Sequence, residues 1–185
     1  MRSFIGINFS REMKEQLAGL QGDIRIAAVK GSFKHVDNFH ITLKFLGEIE
    51  EGHTTGIAEQ LERLARQHHR FELKLQDLGC FRGREGIRTL YIGLGGALSA
   101  LIRLNKEVES AMEGLGFDRD RKPYTPHITL AQNLILKEDF EKLKKRIILP
   151  QDQVIKVDKI ELIKSEQIQN KRIYTPICGY ELQEA

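Results

Sequence analysis

His40-Ile41-Thr42-Leu43 and His127-Ile128-Thr129-Leu130 are the same four letters, 87 positions apart. In a strand alternate side chains point to opposite faces, so each copy shows its His and Thr on one face and its Ile and Leu on the other. The flanks extend the alternation. Phe39, Ile41, Leu43 and Phe45 are expected to oppose Asn38, His40, Thr42 and Lys44, and Tyr124, Pro126, Ile128 and Leu130 to oppose Thr125, His127, Thr129 and Ala131. One face packs; the other offers two imidazoles and two hydroxyls.

Working outward, both copies sit at corresponding places of an internal repeat. Phe4 precedes His40 by 36 positions in an apolar strand, and Leu90 precedes His127 by 37 in a second one. After the first strand Ser10 is a helix N-cap and Met13, Leu17, Leu20 and Ile24 recur at helical spacing, with closure expected near Gly22 or soon after. Residues 29–36 read as a polar turn, 54–69 as an amphipathic helix on Ile57, Leu61 and Leu64, and 71–75 as a strand. Residues 79–86, rich in Gly and Arg, read as a loop, with Thr89–Leu94 a strand. The second half repeats the order. Leu101, Leu104, Val108 and Met112 mark a helix, Arg119–Lys122 a basic turn, Phe140, Leu143 and Ile147 a helix, and 154–164 and 172–177 strands.

Strand, helix, motif strand, helix, strand, strand thus occurs twice, over about 1–88 and 89–185. Two copies this long make a duplicated lobe and not a solenoid. The expected fold is α+β: two pseudo-twofold-related lobes, each a small antiparallel sheet with two helices on its outer face. Residues 1–185 then form a single bilobal domain. If the open sheet faces meet, the active-site cleft lies between the sheets and His40 faces His127.

Composition narrows the function. The net charge is +3, from 29 Lys and Arg against 26 Asp and Glu, a balance that permits an anionic substrate without the concentrated basic surface that coats nucleic acid. The short apolar run after Met1 is too brief for a signal or a membrane span, which points to a cytoplasmic protein with no membrane partner. Cys80 and Cys178 are too few and too separated for a disulfide framework or a zinc site. Adjacent His68 and His69 diverge on a helix and find no third ligand, so no metal and no cofactor are expected. His35 and His53 fall in apparent loops, and Lys142, Lys144, Lys145 and Arg146 make a solvated helix face.

Imidazole, with an ordinary pKa of about 6.5, is the side chain that acts as acid or base near neutrality. Hydrolysis of a cyclic phosphodiester takes a proton from the attacking water and gives one to the departing sugar oxygen on the opposite side of phosphorus. Two histidines across a cleft can divide that work, each worth roughly 10²–10⁴-fold in rate. Thr42 and Thr129, two residues on, can donate to non-bridging phosphate oxygens. Lys44 shares the expected first cleft face. Arg82, Arg84, Arg121, Lys122, Lys171 and Arg172 are candidates for gripping outer phosphates.

With these residues in view the sequence resembles the 2H phosphoesterase superfamily, named for its paired His-x-Thr motifs, and in particular the bacterial and archaeal RNA 2′,3′-cyclic phosphodiesterases once called 2′-5′ RNA ligases. His40, Thr42, Leu43, Phe45, Leu46 and Gly47 match the first motif; Tyr124, Pro126, His127, Thr129, Leu130 and Ala131 fit the second. Arg2, Phe4, Ile5, Ile7, Arg88, Leu90, Tyr91, Gly93, Ser165 and Tyr174 resemble the family's supporting strands. The resemblance implies that His40 donates the proton to the leaving oxygen and His127 accepts one from water. Thr42 and Thr129 would bind the phosphate, with Lys44, Tyr124, Arg121 and Lys122 as further substrate contacts. The implied partner is an RNA end bearing a 2′,3′-cyclic phosphate, opened without metal to a 2′-phosphomonoester by a monomer, with reverse 2′-5′ ligation accessible to the same groups. Small cyclic nucleotides as substrates, or a non-catalytic RNA-end-binding module, are the alternatives. One departure stands out: the family often reads Thr-Leu-x-Arg in the second motif, and here the fourth position is Gln132. Either a cation comes from elsewhere or rate and substrate preference differ.

Overall fold

The computed structural model describes residues 1–184. The elements run β1 (Arg2–Asn8), α1 (Arg11–Ala27), β2 (Ala28–Phe33), a 3-10 turn (Val36–Asn38), β3 (His40–Glu48), α2 (Glu51–Ala65), β4 (Phe71–Gly83) and β5 (Gly86–Gly96). They continue α3 (Leu98–Glu113), β6 (His127–Leu136), α4 (Phe140–Arg146), β7 (Val154–Val157), β8 (Lys159–Ile168) and β9 (Lys171–Glu181). Two antiparallel sheets form, one in the order β3-β1-β8-β9 and the other β2-β6-β5-β4-β7. Helices α2 and α3 cover the first sheet, α1 and α4 the second. This is the α+β architecture the repeat predicts, with two helices to a sheet.

The halves of the chain are interleaved. β8 and β9 of the second half complete the sheet of β1 and β3, while β2 and β4 of the first half join the sheet of β5 and β6. Helix α1 leaves the first sheet to pack on β6 and β2, and α3 leaves the second to pack on β3. Each sheet therefore buries apolar side chains drawn from both halves, among them Ile5, Ile41 and Leu162 in one and Ile92, Ile128 and Leu73 in the other. At ~1.5–3 kcal/mol for each buried aliphatic side chain, neither half retains its core alone.

Local departures from the sequence expectations have physical causes. Ser10 caps α1, its Oγ accepting from Met13 N at 3.3 Å. The helix passes Gly22 and ends only after Ala27, because Ile24 and Ala27 continue its buried stripe, and burying an Ile outweighs the ~1 kcal/mol cost of a helical Gly. The turn expected over 29–36 is largely strand β2. It is an edge strand whose Val29–Ser32 side chains are exposed, so no apolar alternation marks it. The loop expected over 79–86 is the end of a long hairpin that turns at Arg84 and Glu85 and pairs Gly83 with Gly86. Gly86 has φ +128°, and a Cβ there would lie 2.7 Å from Leu134 O, so only glycine fits. The strand expected over 154–164 breaks at Asp158 into β7 and β8, which belong to different sheets. His53, expected in a loop, lies in the first turn of α2 and reaches back to cap it.

Candidate active site

The two motif strands carry the same irregularity. Gly6 pairs with Thr42 but Ile5 with Lys44, and Tyr91 pairs with Thr129 but Leu90 with Ala131. Leu43 and Leu130 are thus the extra residues of two matching bulges, which reverse the alternation beyond them. His40 and Thr42, and His127 and Thr129, share the cleft face as expected. Past the bulge the faces exchange. Phe45, expected inside, is 63% exposed on the cleft side, and Lys44, expected in the cleft, is 1% exposed and turned toward α3. Its Nζ lies 2.8 Å from Glu109 Oε2 and donates to Asp118 O at 2.8 Å. Lys44 is an anchor for the loop before β6 and not a cleft cation.

The bulge carbonyls are met by buried amides from the crossed-over helices. Asn105 Nδ2 of α3 donates to Leu43 O at 2.8 Å, and Gln21 Nε2 of α1 donates to Leu130 O at 2.8 Å. Leu130 O also accepts from Lys34 N at 2.9 Å. A buried carbonyl without a donor would cost about 1–3 kcal/mol, so these donors help to hold both bulges.

Each imidazole is held in the same way. His40 Nδ1 lies 2.7 Å from Asn38 O, and His127 Nδ1 lies 2.6 Å from Thr125 O. A carbonyl only accepts, so Nδ1 carries the hydrogen in both rings and Nε2 is the nitrogen left for chemistry. Each ring sits beside one Phe and one Tyr: Phe4 and Tyr174 at 4.6 and 5.2 Å from His40, Phe81 and Tyr91 at 5.5 and 5.2 Å from His127. Gly79 makes room for Tyr91, since a Cβ there would fall 2.5 Å from the ring.

Burial lowers the pKa of both histidines. His40 is pushed down to about 4, first by desolvation and then by the positive charges of Lys34, His127 and Lys14, against the hydrogen bond to Asn38 O, which favours the charged ring. His127 is lowered by burial, with the Thr125 carbonyl opposing. His127 is among the charges that lower His40, and β3 and β6, which carry the two rings, are in contact. Tyr124 spans the strands: its hydroxyl donates to Thr42 O at 2.9 Å, and burial raises its pKa strongly. A small cavity lined by Asn8, Asn38, Tyr174 and Pro176 opens on His40.

Other candidates scatter. Arg82 lies over Phe140 of α4, on the outer face of its sheet, away from the cleft. Arg121 and Lys122 stand exposed on the loop held by Lys44, Arg84 lies at the hairpin turn, and Lys171 is exposed at the start of β9. Arg172 is next to the site, its carbonyl accepting from Asn38 Nδ2 at 2.7 Å. His68 is buried against Glu107, Nε2 to Oε2 2.8 Å, and is structural. The described residues contain no group of three or more His, Cys, Asp or Glu that could hold a metal, and no helix long and apolar enough to cross a membrane. The sequence marks Phe4, Tyr91 and Tyr174 only as family-like strand residues, without their place beside the rings, and gives no sign of Phe81, the two amides or Lys34, all contributed by elements other than the motif strands.

Residues 15–169 match the 2′-5′ RNA ligase superfamily. The chain belongs to this superfamily. Similar superfamily members named RNA 2′,3′-cyclic phosphodiesterase include those of Aeropyrum pernix, 34% identical over 65% of this chain and 67% of that one, and Methanocaldococcus jannaschii, 31% identical over 80% and 79%. That of Thermotoga maritima is 28% identical over 98% of this chain and 96% of its own. Among solved structures, a Thermus thermophilus protein superposes with a TM-score of 0.82 at 24% identity, covering 100% of this chain and 99% of that one. Apo LigT of E. coli superposes with a TM-score of 0.79 at 24% identity, covering 99% and 98%. The superfamily fold is therefore that of the whole chain, as the paired motifs imply.

Proposed function

We propose that this superfamily member is an RNA 2′,3′-cyclic phosphodiesterase that opens a terminal cyclic phosphate to a 2′-phosphomonoester. The carrying observation is the pair of histidines on twin strands, each with Nδ1 tied to a carbonyl two residues back and Nε2 left over. The names of relatives up to 34% identical support the substrate. In this reading His127 Nε2 takes a proton from water as its oxygen bonds to phosphorus. The P–O3′ bond breaks on the far side, and His40 Nε2–H gives its proton to O3′. Thr42 and Thr129 donate to the non-bridging oxygens, where charge grows. Neither step calls on a metal, and one chain supplies every group, so the protein acts as a monomer.

The assignment of acid and base has support in the free site. Thr42 Oγ1 lies 2.9 Å from His40 Nε2, which carries no hydrogen in the neutral ring, so the hydroxyl donates to it and occupies its lone pair. No such bond ties His127 to Thr129 among the described residues, which leaves His127 the readier base. An arriving phosphate draws the Thr42 hydroxyl to itself, and its negative charge raises the pKa of His40, loading the acid with its proton. The test is hydrolysis of a short RNA ending in a 2′,3′-cyclic phosphate in excess EDTA, with phosphate position read by ³¹P NMR. A 2′-phosphate product is expected; a 3′-phosphate or a requirement for added metal would refute the mechanism.

A further inference from the structure

We infer that Lys34 is the cation that meets the reacting phosphate, beside the second motif where Gln132 brings no charge. This rests on the phosphodiesterase reading of the cleft. β2 lies next to β6 with Ser32 opposite Gln132 and Phe33 opposite Ala131. One residue further on, Lys34 is fixed from both sides: its N–H donates to Leu130 O at 2.9 Å, and its carbonyl accepts from Gln21 Nε2 at 2.9 Å. Phe33 lies under the Arg25 guanidinium of α1, 4.2 Å from its ring centroid, and so faces the helices. Its neighbours Ser32 and Lys34 take the opposite face, the one that bears His127, Thr129 and Gln132. Six residues later the chain enters β3 at His40. Lys34 therefore stands between the motifs, bonded through its backbone to the second and close enough by its charge to depress the first histidine.

Its surroundings fit a group awaiting an anion. The other two lysines near the motifs have oxygen partners: Lys14 donates to Asp37 O at 2.8 Å, and Lys44 pairs with Glu109. Lys34 is half-buried and has no carboxylate in ion-pair reach among the described residues. The charge that acts on it is another cation, Arg172, and burial and that charge both lower its pKa. A desolvated, unpaired ammonium that also feels another cation is unfavourable until negative charge arrives. A cyclic phosphodiester brings that charge, and more develops as phosphorus becomes pentacovalent. Lys34 also keeps His40 acidic in the free site, and a stronger acid transfers its proton more readily once charged.

The experiment compares wild type, Lys34→Met, Lys34→Arg and Lys34→Met with Gln132→Arg. It measures kcat/KM on an oligonucleotide 2′,3′-cyclic phosphate, inorganic phosphate affinity from imidazole NMR shifts, and the His40 pKa. Lys34→Met is expected to lose about 10- to 100-fold in kcat/KM, the range for a charged hydrogen bond made to the reacting group. Phosphate should bind at least roughly tenfold more weakly and the His40 pKa should rise. Lys34→Arg should keep most activity, and Gln132→Arg should restore part of the loss by returning a cation to the same face. Thermal unfolding checks the fold, with Lys34→Gln as the polar variant should Met disturb it. If Lys34→Met and Lys34→Gln keep kcat/KM within about twofold and bind phosphate as tightly as wild type, the inference is overturned. A wild type that hydrolyses no cyclic phosphate, while its phosphate affinity depends on Lys34, would sink the phosphodiesterase reading and leave Lys34 as the anion contact.

Discussion

β3 and β6 start from the same four residues and end as different chemical environments. Both bulge at the motif Leu, both tie Nδ1 to a carbonyl, and both set the ring between a Phe and a Tyr. They differ in what surrounds this frame. His40 has Thr42 on its Nε2 and the charges of Lys34 and Lys14 nearby, whereas His127 has no hydrogen bond on Nε2 among the described residues. Beyond the bulge, β3 buries Lys44 where β6 buries Ala131. Duplication supplies two equal imidazoles; in the proposed mechanism their different neighbours divide them into acid and base.

The largest effect should come from removing either ring. His127→Ala and His40→Ala are each expected to lower kcat about 10²–10⁴-fold, and the double variant to fall little further, because the pair acts as a unit. Single variants that lose less than about tenfold in a steady-state assay would break the paired mechanism.

Next is the contrast between Lys44 and Ala131. Lys44→Met leaves Glu109 buried without its ammonium and should cost about 3 kcal/mol in urea unfolding. Replacing Glu109 by Leu as well should recover much of it. A variant as stable as wild type would show that the pair does not hold the loop before β6.

Smaller again are the hydroxyls. Thr42→Val and Thr129→Val should each lose about 10- to 100-fold in kcat/KM through the phosphate contact. Only Thr42→Val should also raise the His40 pKa, since Thr42 donates to the neutral ring. Equal pKa responses in the two variants, read by NMR titration, would erase the proposed asymmetry.

The smallest effect is on stability. His40 titrates near 4 when folded and near 6.5 when unfolded. Between those values the unfolded chain binds more protons. The contribution is complete above pH 6.5, declines as pH falls, and is gone below about 4, with roughly 2 kcal/mol lost by pH 4.5. His40→Gln should lose less than wild type between pH 7 and 4.5. The same shift gives kcat/KM a bell whose optimum lies on the acid side of 6.5, and the kcat optimum should lie higher because bound phosphate raises both pKa values.

The two-sheet architecture and the four motif side chains were legible because alternation and repetition are read directly from letters. The bulges were not, since strict period-two reading continues past Leu43 and assigns Lys44 and Phe45 to the wrong faces. Nor was the interleaving of the halves: the order of elements is the same whether α1 covers its own sheet or the other. β2 escaped because an exposed edge strand carries no apolar pattern. The supporting groups, Asn105, Gln21, Phe81 and Lys34, reach the site only through tertiary packing, and nothing near them in sequence announces it.

The most direct measurement is a single-turnover assay of a short RNA 2′,3′-cyclic phosphate with wild type, His40→Ala and His127→Ala in excess EDTA. It would be run once with the natural 3′ leaving oxygen and once with a 3′-thio leaving group, which departs without protonation. Wild type should turn over the natural substrate to a 2′-phosphate. The thio substrate should restore His40→Ala toward wild type and leave His127→Ala slow. Rescue of His127→Ala instead would reverse the roles, and equal rescue of both or of neither would contradict the division of acid and base between the two strands.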